Sequence, residues 1–147
     1  MFGSSQIKRN KYIESTAKLK RSSGYRADYF KIKKGISLPI TSSTLYFCPY
    51  CGKPMINKAK MHVDHIHSLR RAQYTKRLRA KYKTLPSGVN NISNLTACCP
   101  RCNRRKGKKG GVWVFLGKYG VYFMPGVWFI NRLILISVII FFIYIML

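Results

Sequence analysis

The sequence predicts a small α+β domain that is held together by two Cys-x-x-Cys pairs and flanked by a basic arm and an apolar tail. Strand-like runs and helix-like basic stretches alternate over residues 44–110, which is typical of a mixed fold. The pairs Cys48/Cys51 and Cys99/Cys102 lie near the two ends of this region. We therefore expect a basic N-terminal arm at residues 1–43, one domain at residues 44–110 and an apolar extension at residues 111–147.

Each element of the domain is predicted from a local pattern. The stretch TLYFCPYCGKPM predicts an aromatic strand that runs into a turn, and MHVDHIH predicts a second strand. Apolar residues at helical spacing in SLRRAQYTKRLRAKYKTL predict one basic amphipathic helix that ends at Pro86 and Gly88. A strand is expected at Leu95–Cys98, followed by a helix through PRCNRRKG with Pro100 in its first turn and Gly107 at its C-cap. In the arm, a short helix is expected around residues 7–19.

The charge of the chain points to a polyanionic partner. The sequence holds 28 Lys and Arg against three Asp and Glu, which gives a formal net charge of +25. Solubility alone does not require so large a charge, so nucleic acid is the first expectation and an anionic membrane surface the second. Only Lys118 and Arg132 lie beyond residue 110, so the charge ends where the apolar tail begins.

The cysteines predict a structural zinc site. Two Cys-x-x-Cys pairs supply four thiolates, which suits tetrahedral zinc, and an odd count of five cysteines does not suit a disulfide framework. Cys98 is the surplus thiol, although by position it could replace Cys99; we favour Cys99 because it preserves the spacing. Four thiolates leave no open position for water, so any chemistry must lie elsewhere.

Asp64 and His65 are the candidate reactive pair. Asp64 is the only carboxylate between Asp28 and the C-terminus, and in so positive a chain it stays ionised and can bind a divalent cation together with substrate phosphates. His65 can take a proton from water near neutral pH. His62 and His67 are expected to face solvent, pack or contact phosphate, and Asn90 and Asn91 to form turns.

The order of these blocks resembles the HNH endonucleases of the ββα-metal fold in their zinc-stapled form. CPYC, VDHIH, NL and CCPRCNRRKG follow one another over about Phe47 to Gly107, as in that family. Two features depart from it: Ser68 stands where many members have proline after Asp-His-Ile-x, and the span from His65 to Asn94 is long. The fold class implied is an α+β, ββα-metal nuclease domain of the free-standing kind found in phages and homing elements.

The resemblance implies specific roles. His65 would be the general base, Asp64 and Asn103 would hold a catalytic Mg²⁺ or Mn²⁺ ion, and Asn94 would orient the loop carrying His65, with Asn91 as a rival for that position. Cys48, Cys51, Cys99 and Cys102 would bind structural zinc. The implied substrate is double-stranded DNA, hydrolysed by nicking or double-strand cleavage.

Two clusters of cations are expected to track the phosphates of this substrate. They are Arg70, Arg71, Lys76, Arg77 and Arg79, and Arg104, Arg105, Lys106, Lys108 and Lys109. A zinc-stapled nucleic-acid-binding module without catalysis, or a membrane-tethered basic protein, would share these charges.

The apolar tail allows several interpretations. Residues 126–147 are long enough for a membrane segment if Asn131 and Arg132 lie at an interface. A buried strand pair is the alternative for residues 111–147, and a non-functional terminus is another. We expect the basic domain to be cytoplasmic, with membrane association as the alternative.

Overall fold

The structure, a computed structural model, describes residues 16–39, 41 and 43–146 and contains two small antiparallel sheets. The first sheet has the strand order β1-β2-β3, with β1 at Ile36–Ser37, β2 at Thr44–Phe47 and β3 at Pro54–Met55. The second pairs β4 (His62–His65) with β5 (Leu95–Cys98). In this pair Asp64 lies opposite Thr96 and His65 opposite Leu95, so the candidate pair sits at the end of a ladder.

The helix after β5 forms where the sequence predicts it. Helix α4 spans Pro100–Lys106, with proline in its first turn, and Gly107 ends it at a φ of 49°. That positive φ is costly for any residue with a Cβ, which explains the glycine. The helix therefore starts directly behind the second cysteine pair and presents Asn103 towards β4.

The N-terminal region differs from the predicted basic arm at residues 1–43, because part of it belongs to the domain. Helix α1 (Tyr25–Ile32) packs on the second sheet, and β1 adds a strand to the first. The Tyr29 hydroxyl accepts a hydrogen bond from the Ala97 amide at 3.0 Å, and its side chain joins the core with Tyr46 and Val63. At least residues 25–37 are thus part of the domain. The short helix expected around residues 7–19 lies mostly outside the described residues.

The single basic helix predicted from residue 68 onward is wrong in one respect. The chain forms α2 (Leu69–Tyr74) and α3 (Lys76–Thr84), separated by Thr75 in an extended conformation with φ −91° and ψ 114°. The apolar positions still converge: Ala72 and Tyr82 are buried together with Leu19 and Val89. Burial of this cluster selects the break, because a bend can bring both helices onto the same core.

The apolar tail is one helix, α5, over Val112–Met146. The alternative of a buried strand pair is therefore wrong. Trp113 and Leu116 pack against the cysteine cluster, whereas every residue from Phe129 to Met146 is exposed.

Candidate active site and metal centre

Two turns bring the four predicted cysteines together. All four Sγ atoms of Cys48, Cys51, Cys99 and Cys102 lie within 4.8 Å of one another, and Cys51 and Cys99 are 3.9 Å apart. Around a tetrahedral zinc with bonds of about 2.3 Å, sulfur atoms lie about 3.8 Å apart, so the arrangement fits this metal.

Backbone amides donate hydrogen bonds to two of the four sulfur atoms at this centre. The Cys99 amide donates to Sγ of Cys48 at 3.5 Å, and the Cys102 amide donates to Sγ of Cys99 at 3.4 Å. A hydrogen bond from Cys48 lowers the pKa of Cys51 to about 5, while burial raises that of Cys102 to about 12. Binding a cation would release the remaining thiol protons, so metal affinity depends on pH.

Cys98 is separate from this group, as the spacing argument favoured. It is fully buried in β5 and packs in the same core cluster, but it is not one of the four cysteines whose sulfur atoms converge. Burial raises the pKa of its thiol, so Cys98 behaves as a small apolar residue.

Asp64 is held from two sides. The hydroxyl of Tyr50 donates to Oδ2 of Asp64 at 2.7 Å, and Nζ of Lys106 forms an ion pair with the same oxygen at 2.9 Å. Lys106 is completely buried and also donates to the His65 carbonyl at 2.7 Å. The carboxylate is thereby fixed in direction, and its other oxygen is left for a ligand.

Lys106 corrects the predicted set of phosphate contacts. A side chain with no exposed surface cannot reach a DNA backbone, so its charge serves Asp64 instead. The other members of the same predicted cluster are exposed: Arg104, Arg105, Lys108 and Lys109. In the other cluster Arg71 is half-buried, whereas Arg70, Lys76, Arg77 and Arg79 are exposed.

His65 is buried, with only 3% of its surface exposed, and its ring is oriented by Asn90. Asn90 donates through Nδ2 to the Lys20 carbonyl at 2.7 Å, so its Oδ1 faces Nε2 of His65 at 3.0 Å. Nε2 therefore carries the proton in the neutral ring, and Nδ1 keeps its lone pair. Tyr25 packs against the ring at a centroid distance of 5.1 Å.

Burial also keeps the His65 ring uncharged. Loss of hydration lowers the pKa of His65, and the hydrogen bond to Asn90 offsets part of this effect. Asn90 was expected to be a turn former, and no sequence pattern indicates that a residue 25 positions away would orient the histidine.

A cleft of about 360 Å³ opens beside Asp64. Asp64 and Asn103 both line it, together with His62, Arg21 and Arg26. His62 lies two residues before Asp64 on β4, so both side chains leave the same face of the strand. Asn103 donates to Nδ1 of His62 at 2.8 Å. His62, which was expected to face solvent, pack or contact phosphate, is thus part of the cleft.

Asn94 fixes the loop that follows β4. Its Oδ1 accepts from the His67 amide at 2.8 Å, and its Nδ2 donates to the carbonyls of His67 and Val89 at 3.2 and 2.9 Å. The Tyr82 hydroxyl also donates to Oδ1, at 2.8 Å. Asn91 instead accepts from the amide of Ser93 at 3.1 Å, so the geometry favours Asn94 as the loop-orienting residue.

Comparison with known proteins supports the family resemblance of the motifs. No curated protein and no solved structure gave a significant match. One family model does match, that of the HNH endonuclease, over residues 48–109, from Cys48 to just past α4. The HNH resemblance found in the motifs is confirmed at the level of this family model, and for residues 48–109 alone.

Proposed function

We propose that the protein is a metal-dependent endonuclease that hydrolyses phosphodiester bonds of double-stranded DNA. One observation carries the proposal: a single cleft collects Asp64 from β4 and Asn103 from α4, with two arginines on its wall. A carboxylate and an amide oxygen are hard ligands, and the arginines suit a phosphate.

The donor set fits a catalytic Mg²⁺ or Mn²⁺ ion. Such ions take one or two protein oxygens and complete their shell with water and substrate phosphate. Asp64 and Asn103 would hold the ion, which would polarise the scissile phosphate and stabilise the departing oxygen. Tyr50 and Lys106 keep the Asp64 carboxylate aimed at the cleft.

His65 is the proposed general base. Its proton is held on Nε2 by Asn90, and Nδ1 forms no hydrogen bond with any of the described residues. A neutral ring with a fixed tautomer can take a proton from the attacking water at Nδ1. The lowered pKa keeps the ring neutral at physiological pH.

His62 is a competing candidate for the same step. It is exposed on the cleft, whereas His65 is buried beneath Tyr25. However, Nδ1 of His62 accepts a hydrogen bond from Asn103, so this nitrogen must release that bond before it can accept a proton from water. The fixed tautomer favours His65, and His62 is better suited to orienting the Asn103 amide.

DNA binding is proposed for the exposed cations that surround the domain. Arg104 and Arg105 lie on α4 close to Asn103, and Arg77 and Arg79 lie on α3. Such contacts give affinity that depends little on sequence and falls steeply with salt. We propose that this basic domain works in the cytoplasm, where positively charged segments of membrane-associated chains are retained.

A nicking assay tests the proposal. Full-length protein in mild detergent is incubated with supercoiled plasmid and Mg²⁺ or Mn²⁺, and wild type is compared with His65→Ala, Asp64→Asn, Asn103→Ala and His62→Ala. We expect metal-dependent nicking that falls by about 10²–10⁴-fold without the base, and a smaller loss in His62→Ala. Zinc content and plasmid affinity of each variant serve as controls for folding.

Two results would reject the assignment. A larger loss in His62→Ala than in His65→Ala would move the base to His62. Tight plasmid binding without cleavage by any variant or wild type, across both metals and linear or single-stranded substrates, would favour a non-catalytic nucleic-acid-binding module.

A further inference from the structure

The outer half of α5, residues 129–146, is apolar around the whole helix from Leu133 onward. Large apolar residues from Leu133 to Met146 are between 44% and 85% exposed, and none is buried. Successive helix positions are rotated by about 100°, so the exposed run covers the whole circumference. A helix that docks on the surface of a protein needs an apolar stripe on one face only, whereas a helix that is apolar all round is surrounded by an apolar environment, as in a membrane span.

The length of this half matches a bilayer. Residues 129–146 span about 27 Å at about 1.5 Å per residue, against a hydrocarbon core of about 30 Å. An 18-residue window of α5 has a mean hydropathy of 2.4 and no buried residue. After Arg132 the sequence contains no charged side chain.

An aromatic and a basic residue mark the edge of this segment. The Arg132 guanidinium lies 5.3 Å from the ring centre of Trp128, one helical turn closer to the domain. The arginine side chain therefore points back towards the domain, which is the direction in which it would reach a headgroup region. Tryptophan is enriched at the same level of a membrane.

The inner half of α5, residues 112–128, packs against residues 48–52, the turn of the first cysteine pair, which we call the zinc turn. Trp113 contacts the Tyr50 ring at 5.3 Å between centroids. A Cβ added at Gly117 would lie 3.1 Å from the Tyr50 hydroxyl, and one at Gly120 would collide with the Pro49 carbonyl. At the next turns Met124 and Trp128 approach Gly52. Glycines on one face thus allow the helix to lie directly on the turn.

We infer that α5 spans a lipid bilayer with residues 129–146 and that its inner half is a stalk that docks the HNH domain at the membrane surface. The charge supports this occupant, because a chain of net charge +25 is attracted to anionic headgroups. The inference is independent of the proposed catalysis, since it concerns where the domain is held.

Vesicle flotation tests the bilayer. The full-length chain is synthesised in the presence of vesicles of neutral phosphatidylcholine, or of the same lipid with phosphatidylglycerol, and is then washed with 1 M salt and alkaline carbonate. We expect it to float with both vesicles and to resist both washes. Release by salt, binding to anionic vesicles alone, or a soluble oligomer without lipid would overturn the inference.

A charged double variant gives the matched comparison. Ile136→Lys/Ile140→Lys places two cations in the middle of the segment, and Ile36→Lys/Ile56→Lys places two on exposed positions of the domain. We expect carbonate-resistant flotation to fall at least tenfold in the first variant and to stay unchanged in the second. Equal flotation of both variants would overturn the inference, and zinc content reports whether the domain remains folded.

A wedge on the docking face tests the stalk. Gly120→Leu should separate α5 from the zinc turn without altering residues 129–146. We expect unchanged flotation and at least tenfold faster trypsin cleavage after Lys118, which lies on the docked half of the helix. An unchanged cleavage rate would overturn the docking.

Discussion

The Tyr50 hydroxyl donates a 2.7 Å hydrogen bond to Oδ2 of Asp64, so a residue between two of the clustered cysteines positions the candidate cation ligand. Burial raises the pKa of Tyr50, as does the nearby Asp64 charge, and the phenol therefore remains a donor throughout the useful pH range. The zinc turn and the cleft are thus parts of one structure. A substitution that displaces the zinc turn should therefore also displace Asp64 in the cleft.

Tyr50→Phe should separate these two roles. The ring is retained against Trp113, so zinc content should stay at one ion per chain, whereas Asp64 loses a donor worth about 1.5–3 kcal/mol. We expect a nicking rate about tenfold lower at low Mg²⁺ and a higher Mg²⁺ concentration for half-maximal nicking, measured by metal titration. Tyr46→Phe, which removes a hydroxyl bonded to the Lys33 carbonyl, is the control. Unaltered nicking in Tyr50→Phe would show that this hydrogen bond does not position Asp64.

Lys106→Met should destabilise the domain. It leaves the Asp64 carboxylate and the His65 carbonyl without their common buried donor. Removing one partner of a buried ion pair costs about 3–5 kcal/mol of unfolding free energy. Urea unfolding, followed by Trp fluorescence, measures this cost, and Lys108→Met on the exposed surface should change stability by less than about 0.5 kcal/mol. Equal stability of the two variants with weaker DNA binding in Lys106→Met would return Lys106 to the phosphate contacts.

Acid should weaken the fold through its buried histidines. Burial lowers the pKa of both His65 and His67, so the folded chain binds fewer protons than the unfolded chain below about pH 6.5. Their contribution is complete above that pH and is lost as the pH falls through the lowered values. Urea unfolding at pH 7.5, 6.5 and 5.5, with zinc content checked at each pH, measures the loss.

The same shift predicts the pH profile of nicking. A general base acts only when unprotonated, so the acid limb assigned to His65 should lie below pH 6.5. The hydrogen bond to Asn90 opposes this shift, and Asn90→Ala should move the limb further towards acid while reducing the rate. Single-turnover nicking between pH 5 and 8 measures both effects. A limb above pH 6.5 in the wild type would contradict the role of a buried His65.

We expect four of the five cysteines to bind the metal ion and the fifth, Cys98, to serve only in packing. Cys99→Ser should lose the zinc ion and the folded domain, because it removes one of four converging ligands. Cys98→Ala should keep one zinc per chain and lose only packing, since its thiol is buried outside the group. Metal analysis and unfolding of the two variants check this division, and loss of zinc in Cys98→Ala alone would reverse the assignment.

Prediction from sequence succeeded where the signal is short in range. Strand β5 and helix α4 have the predicted bounds because proline, glycine and the cysteine spacing act within a few residues. It failed at Thr75, where the core cluster of Ala72 and Tyr82 bends a pattern that is locally helical. It also failed for the N-terminal region, because a polar, weakly periodic segment gives no sign that Tyr29 will enter a core.

The sequence by itself determined the four clustered cysteines, the order of the HNH blocks and the apolar character of α5, since spacing and composition specify each of these directly. The tertiary structure decided the rest of the site. It buried Lys106 against Asp64, set Asn90 against His65 and brought His62 to Asn103. These partners are 25 to 42 residues apart in the sequence, so no local sequence pattern predicts that they meet. They meet because the cysteine cluster and the β4-β5 pair fix the segments between them, and because the buried polar groups of Lys106 and His65 require partners.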